Sequence, residues 1–182
     1  MAQSAMITTM KRSIKVKISE YVLYFVIYSA VGALVETAFR FVTEGQLYGI
    51  HGILHFPILP IYGFGALLIL LISNYVRKPI PLFIVATVLT SVLEFISSWI
   101  YEMIFGTKLW DYSEKHFNFE GRVSLDNSLG FGVVALLLVY ELHPFVKKWI
   151  EKIPSLAIII LAISIVAVLG IDLTLSFISK LA

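Results

Sequence analysis

The sequence predicts an all-α fold: a polytopic membrane helical bundle of five transmembrane helices with a long extracytoplasmic loop between the third and fourth. Three observations carry it. The 182 residues are 59% apolar and only 14% Asp, Glu, Lys and Arg, with a mean hydropathy of +0.90, a balance foreign to a water-soluble domain. Apolar runs long enough to cross about 30 Å of hydrocarbon follow one another from end to end. None alternates polar and apolar residues as a barrel strand does, so the backbone amides must be satisfied inside helices.

The first span is expected over residues 18–42, behind a basic segment at residues 1–17. The second, 56–76, opens on Pro57 and Pro60, which remove amide donors, and continues through Gly63 and Gly65, which permit close backbone approach. Such an entry is expected to be irregular, and irregular backbone at membrane depth must be buried in protein or border a watery cavity. A tight helix start with a small-residue packing face explains the same residues equally well. The third, fourth and fifth spans fall at 80–105, 128–146 and 156–179, so residues 18–182 form one domain. Three connections are short. The fourth, residues 106–127, carries Trp110, Tyr112, Phe117 and Phe119 and has the apolar content to fold back on the bundle as a lid.

Orientation follows from the placement of Lys and Arg, since short cytoplasmic flanks retain positive charge. Lys11, Arg12, Lys15, Lys17, Arg77, Lys78, Lys147, Lys148 and Lys152 share one side. The other side holds Arg40, Lys108, Lys115, Arg122 and Lys180, diluted by Glu44, Asp111, Glu114, Glu120 and Asp126. An integral protein of the cell membrane is expected, with its amino terminus cytoplasmic and its carboxyl terminus outside.

Charged groups at a helix centre cost about 2.5–3.5 kcal/mol each on insertion scales, so those present ask for partners or water. Tyr28, Gly32, Glu36 and Arg40 recur every fourth residue, which stacks them on one face with Glu36 and Arg40 able to pair. Thr87, Ser91, Glu94, Ser98 and Glu102 form a second stripe, expected to face protein. On this topology Arg40, Glu36, Glu94 and Glu102 describe a polar funnel open to the outside. Packing pairs, Glu36 with Arg40 and Glu94 with serine hydroxyls, are the plainer reading. Glu94 has no cation nearby in sequence; it carries a proton, or another helix or a ligand matches it. Asp172 lies roughly in line with Ser164 and Ser176, either as a helix-contact residue or as a further acid of the cavity. Glu141 and His143 read as a local ion pair with Lys147 and Lys148 at the interface.

With no cysteine there is no disulfide framework, thiolate metal site or Cys nucleophile, and a formal charge of +2 makes no case for nucleic acid. His51, His55 and His116, with Asp111 or a glutamate as a further ligand, invite a zinc site, but their spacing matches no metal motif. No phosphate-cradling glycine loop, Gly-x-Ser-x-Gly or His-Glu-x-x-His occurs. No cofactor is expected, no catalytic residue stands out, and any energy source must be external.

Certain strings carry a resemblance. Ile27-Tyr28-Ser29 with Gly32 and Glu36-Thr37, Pro57 with the run from Pro60 to Leu67, and Ser91-Val92-Leu93-Glu94-Phe95 with Ser98-Trp99 and Glu102 are followed by Trp110-Asp111-Tyr112-Ser113, Phe117-Asn118, Gly121-Arg122 and His143-Pro144. In that order they resemble the small membrane family described as "Putative ABC-transporter type IV", or CmpB-like permease, over residues 24–146. The resemblance implies a transport role. It singles out Glu36, Pro57, Pro60, Tyr62, Gly63, Gly65, Glu94, Glu102, Trp110, Asp111, Tyr112, Asn118, Gly121 and Arg122. The chain departs from the pattern at Ile50-His51-Gly52, where the family has Asn-Arg-Gly, and at Leu59, where it has Cys. Further departures are Leu109 in place of a second Trp, and Asp126-Asn127 in place of apolar residues.

The expected function is therefore a permease-like transport component whose outward polar cavity holds a small polar or cationic group. Its ligand-binding residues would be Glu36, Arg40, Tyr62, Glu94, Ser98, Glu102, Trp110, Asp111, Tyr112, Asn118 and Arg122, with Asp111 and Arg122 pairing to hold the lid shut. Its partners are the lipid bilayer and either an ATPase subunit, as the family label implies, or further copies of itself. Two alternatives stay open: an integral enzyme acting on an envelope lipid or polyprenyl-linked head group, with Arg40 or Arg122 on phosphate, and a non-catalytic scaffold.

Overall fold

A computed structural model describes residues 13–45 and 53–181, so that Lys11, Arg12 and the departure at residues 50–52, His51 included, lie outside the described residues. Five helical spans run along the chain: α1 Ile14–Glu44, α2 Pro60–Ser73, α3 Pro79–Phe105, α4 Leu125–Ile150 and α5 Ser155–Leu181. All except α2 are long and apolar enough to cross a bilayer. The second span is thus shorter than the expected 56–76: its 14 residues rise only about 21 Å. The reason is local. Pro60 sits in the first turn, where a missing amide costs nothing, and Pro57 keeps the residues before it out of the helix.

Each long helix carries a stripe for lipid and a stripe for protein. On α3 the exposed residues Ile80, Ile84, Val88 and Val92 recur every fourth position, while Leu82, Ala86, Glu94, Ser98 and Tyr101 on another face are buried. The polar stripe read from the sequence therefore faces protein. α1 packs on both α2 and α5, α3 packs on α4, and α2 joins the two pairs. α1 crosses α2 at close range. A Cβ on Gly32 would overlap the Tyr62 ring, and one on Gly63 would overlap the Ser29 hydroxyl and Phe25, so the glycines serve as the packing face. Gly65 meets only Leu93, at 3.5 Å, an ordinary contact.

Helix α4 widens into a π turn at Leu138–Leu142, just before Pro144. Proline cannot donate an amide and its ring crowds the carbonyl one turn back, and a wide turn relieves both. This places His143 in the bundle, where its Nδ1 lies 2.7 Å from the hydroxyl of the buried Tyr28 and its ring meets Tyr24 edge-on. The expected interfacial pairing of His143 with Lys147 and Lys148 gives way to this contact, since a half-exposed imidazole finds a better partner in a tyrosine hydroxyl than in two cations.

The loop after α3 is compact. Gly106 ends the helix in the left-handed conformation, and a two-residue antiparallel ribbon, β1 Asn118–Phe119 with β2 Val123–Ser124, turns the chain back into α4. This ribbon is the one β element among the described residues, and the bundle itself is all-α as expected. Phe117 and Glu120 adopt positive φ, 55° and 53°, as the turn requires.

Candidate functional site

Beneath the loop, α1, α2, α3 and the loop itself converge on two carboxylates. Glu36, near the end of α1, accepts from Arg40 Nε one turn on at 2.7 Å and from the Tyr62 hydroxyl at 2.5 Å. Tyr62 reaches it because Pro60 starts α2 there and Gly32 leaves room for its ring. Glu94, on the protein face of α3, is 3% exposed. The Tyr112 hydroxyl, brought down by the loop, donates to it and in turn receives the Asn127 amide. The other carboxylate oxygen, Oε2, is buried with no hydrogen-bond partner. Burial raises the Tyr112 phenol above its ordinary value and the Glu94 charge adds to the shift, so this hydroxyl is a donor, never a phenolate, at neutral pH. Glu36, Tyr62, Tyr112 and Glu94 lie within electrostatic reach of one another.

Next to this cluster stands a latch. The Arg122 guanidinium, at the end of the ribbon turn, meets Glu102 at 2.5 Å, Glu120 at 3.5 Å and the Ser98 hydroxyl at 3.3 Å, and lies over the Phe95 ring. The Trp110 indole donates to the Arg122 carbonyl at 2.9 Å. The expected pairing of Asp111 with Arg122 does not form. Asp111 faces outward, where its carboxylate accepts the Ser113 amide at 3.0 Å and hydroxyl at 2.5 Å and meets Lys108 at 3.4 Å. Those Ser113 bonds, with Lys108, hold its carboxyl below the ordinary Asp range. An aspartate bonding two residues on makes a local turn and leaves no reach inward. Asn118 also serves the loop: its side chain accepts from Gly121 N and donates to the Ser113 and Lys115 carbonyls.

Of the predicted residues, then, Glu36, Arg40, Tyr62, Glu94 and Tyr112 meet in one cluster. Ser98, Glu102, Trp110 and Arg122 form the latch, while Asp111 and Asn118 stay on the loop's exterior. Glu94 does not stand in an open funnel: it is 3% exposed with the Tyr112 hydroxyl on it, whereas the Glu36 and Glu102 side chains remain 30% and 35% exposed. Two shallow hollows lie elsewhere. One of about 450 Å³ is lined by His116, Phe117, Leu125 and Leu129, and one of about 270 Å³ by Val26, Phe56, Ile165 and Val168.

Two polar contacts escaped the sequence reading in their partners. The Asp172 carboxylate on α5 accepts the amides of His55 and Phe56 at 3.1 and 3.3 Å and meets His55 Nδ1 at 3.0 Å, tying down the irregular entry to α2. It is a contact between segments, and of its two expected companions Ser176 is buried beside it while Ser164 is exposed. Ser176 Oγ lies 2.6 Å from the same Nδ1, so the imidazole cannot relay a proton between serine and aspartate as a hydrolase triad does. Asn127 was seen only as a departure from a pattern. An acid in an apolar helix signals that a partner exists, but nothing in sequence names one more than a hundred positions away. Among the described residues no three His, Asp or Glu side chains stand together as a metal site.

No curated protein and no solved structure matches the chain. Residues 23–177 match the family described as "Putative ABC-transporter type IV". With apolar helices long enough to cross a bilayer and a match over most of its length, this integral membrane protein belongs to that transport-related family.

Proposed function

We propose that the protein is a permease-like transport component that accepts a small polar or cationic group at Glu94. The basic end, with Arg77, Lys78, Lys147 and Lys148, is cytoplasmic by the retention of positive charge, which puts the loop outside as a lid over the cluster. The observation that carries the reading is Glu94: a carboxylate all but removed from water, one oxygen bonded to a tyrosine of the lid and the other to nothing. Glu36 and Glu102, expected as further acceptors, already hold arginines and act as walls. For the guest to reach Glu94, Tyr112 must withdraw, and the latch at Arg122 governs that movement. An ATPase subunit or a second copy of the chain would supply the energy or complete the path. The alternative of a lipid-phosphate enzyme has less to stand on, because Arg40 and Arg122, its phosphate ligands, are each engaged by a carboxylate.

The test compares cells carrying the native protein with cells carrying Glu94→Gln at equal membrane abundance. Pools of small cationic and polar solutes are measured by mass spectrometry. At least one pool should differ by roughly tenfold, the loss expected when a charge-assisted contact of about 1.4 kcal/mol or more is removed. Identical pools would remove Glu94 from transport.

A further inference from the structure

Among the acids of the cluster and the latch, Glu94 is buried without a cation in contact. Arg40 balances Glu36, and Arg122 balances Glu102. Lys115 is the cation that Glu94 feels, yet its Nζ is already bonded to Asp126 Oδ2 and Asn127 Oδ1, both at 2.9 Å. Glu94 receives a neutral hydroxyl on one side and nothing on the other. A carboxylate taken from water without a counter-charge is expensive; a proton relieves that cost while the site is empty, and with Glu94 ionised the site is complementary to one monovalent cation.

The neighbours decide which kind. A bare metal ion replaces its water shell with about six or more oxygens at close range. Here the tyrosine hydroxyls already donate their hydrogen bonds to carboxylates, and no cluster of metal-ligating side chains accompanies them among the described residues. Aromatic rings stand beside the acid instead, backed by further rings. Tyr62 and Tyr112 flank it, Phe131 of α4 meets Tyr62 edge-on at 6.0 Å, and Trp110 stacks on Tyr112 at 6.5 Å. Rings around a single carboxylate suit a cation with a hydrocarbon skin, whose diffuse charge is attracted to ring faces and which sheds water easily.

We propose that the group accepted at Glu94 is an organic ammonium ion, an alkylated amine with one positive charge, seated between Tyr62 and Tyr112. This rests on the reading of Glu94 as the acceptor of a transported group. Tyr112 is both the present occupant of that carboxylate and a wall of the guest's seat. As the loop lifts, its hydroxyl leaves Glu94 and the ammonium takes its place.

The test uses the purified full chain in lipid nanodiscs, titrated calorimetrically with tetramethylammonium chloride against sodium and potassium chloride at equal ionic strength. Tetramethylammonium should bind saturably. Glu94→Gln, an uncharged isostere, and Tyr112→Leu, which removes a ring but no charge, should each weaken it by roughly tenfold or more, whereas Tyr112→Phe should retain it. Far-ultraviolet circular dichroism confirms that each variant is folded. Binding of sodium or potassium that depends on Glu94, with none of tetramethylammonium, overturns the ammonium assignment and leaves the acceptor reading standing. Absence of binding by every one of the three cations to the native protein overturns both.

Discussion

Gly32→Leu is expected to lower the stability of the folded bundle by about 2.5–6 kcal/mol. The Tyr62 ring occupies the space that any side chain at position 32 would need, and the overlap begins at the Cβ itself. Overpacking of this kind costs about 1–3 kcal/mol. Pushing Tyr62 aside also breaks its hydrogen bond to Glu36, a bond to a charged group worth about 1.5–3 kcal/mol. The two losses share one cause and so arrive together. Thermal unfolding in a mild detergent measures the sum, and Gly32→Ala should show a smaller part of it. A leucine variant that melts with the native protein would mean that α1 and α2 do not cross at this point.

Arg122→Ala is expected to release the loop. Breaking a buried ion pair by removing one partner costs about 3–5 kcal/mol, and since the Glu102 side chain is 35% exposed, water recovers roughly half of that. The energetic loss matters less than where it falls. Ser98 and Glu102 of α3 reach the loop through this one guanidinium, which also meets the Phe95 ring and the loop's own Glu120, and Trp110 hangs from the same residue's carbonyl. Arg122→Lys keeps the charge without the planar fork and should fall between the two. With Trp99 and Trp149 replaced by phenylalanine, fluorescence reports Trp110 alone. Its emission should shift to the red in Arg122→Ala, and amide exchange across residues 106–127 should quicken. An unshifted emission would show that the latch lies elsewhere.

The number of helices and their approximate limits were legible in the sequence because lipid imposes one simple demand, a run of apolar residues about as long as the bilayer is thick. The demand failed at the second span, where hydropathy counts Phe56 and Ile58 as helix although two prolines keep them out of it. For the site, the period of a helix was enough to put Glu36 beside Arg40 and to turn Glu94 and Ser98 inward. It was not enough to pair residues on different segments. Asp111 and Arg122 looked like partners because opposite charges in one short loop attract on paper. The loop instead folds Asp111 onto Ser113, two positions away, where a local bond is made before any distant one. Tyr62 and Tyr112, aromatic residues in apolar company, gave no sign that their hydroxyls would each find an acid. The covering of Glu94 by Tyr112 follows from that.

The wide turn in α4 has a further meaning. Because it takes up a surplus residue, whatever follows Leu142 stands one place later in the sequence than an uninterrupted ladder would put it. Had the ladder run on from Leu137 unchanged, the position opposite Tyr28 would have fallen to residue 142, a leucine. The length of one short stretch, which no measure of hydropathy registers, thus determines whether the midst of this bundle holds an imidazole or a hydrocarbon.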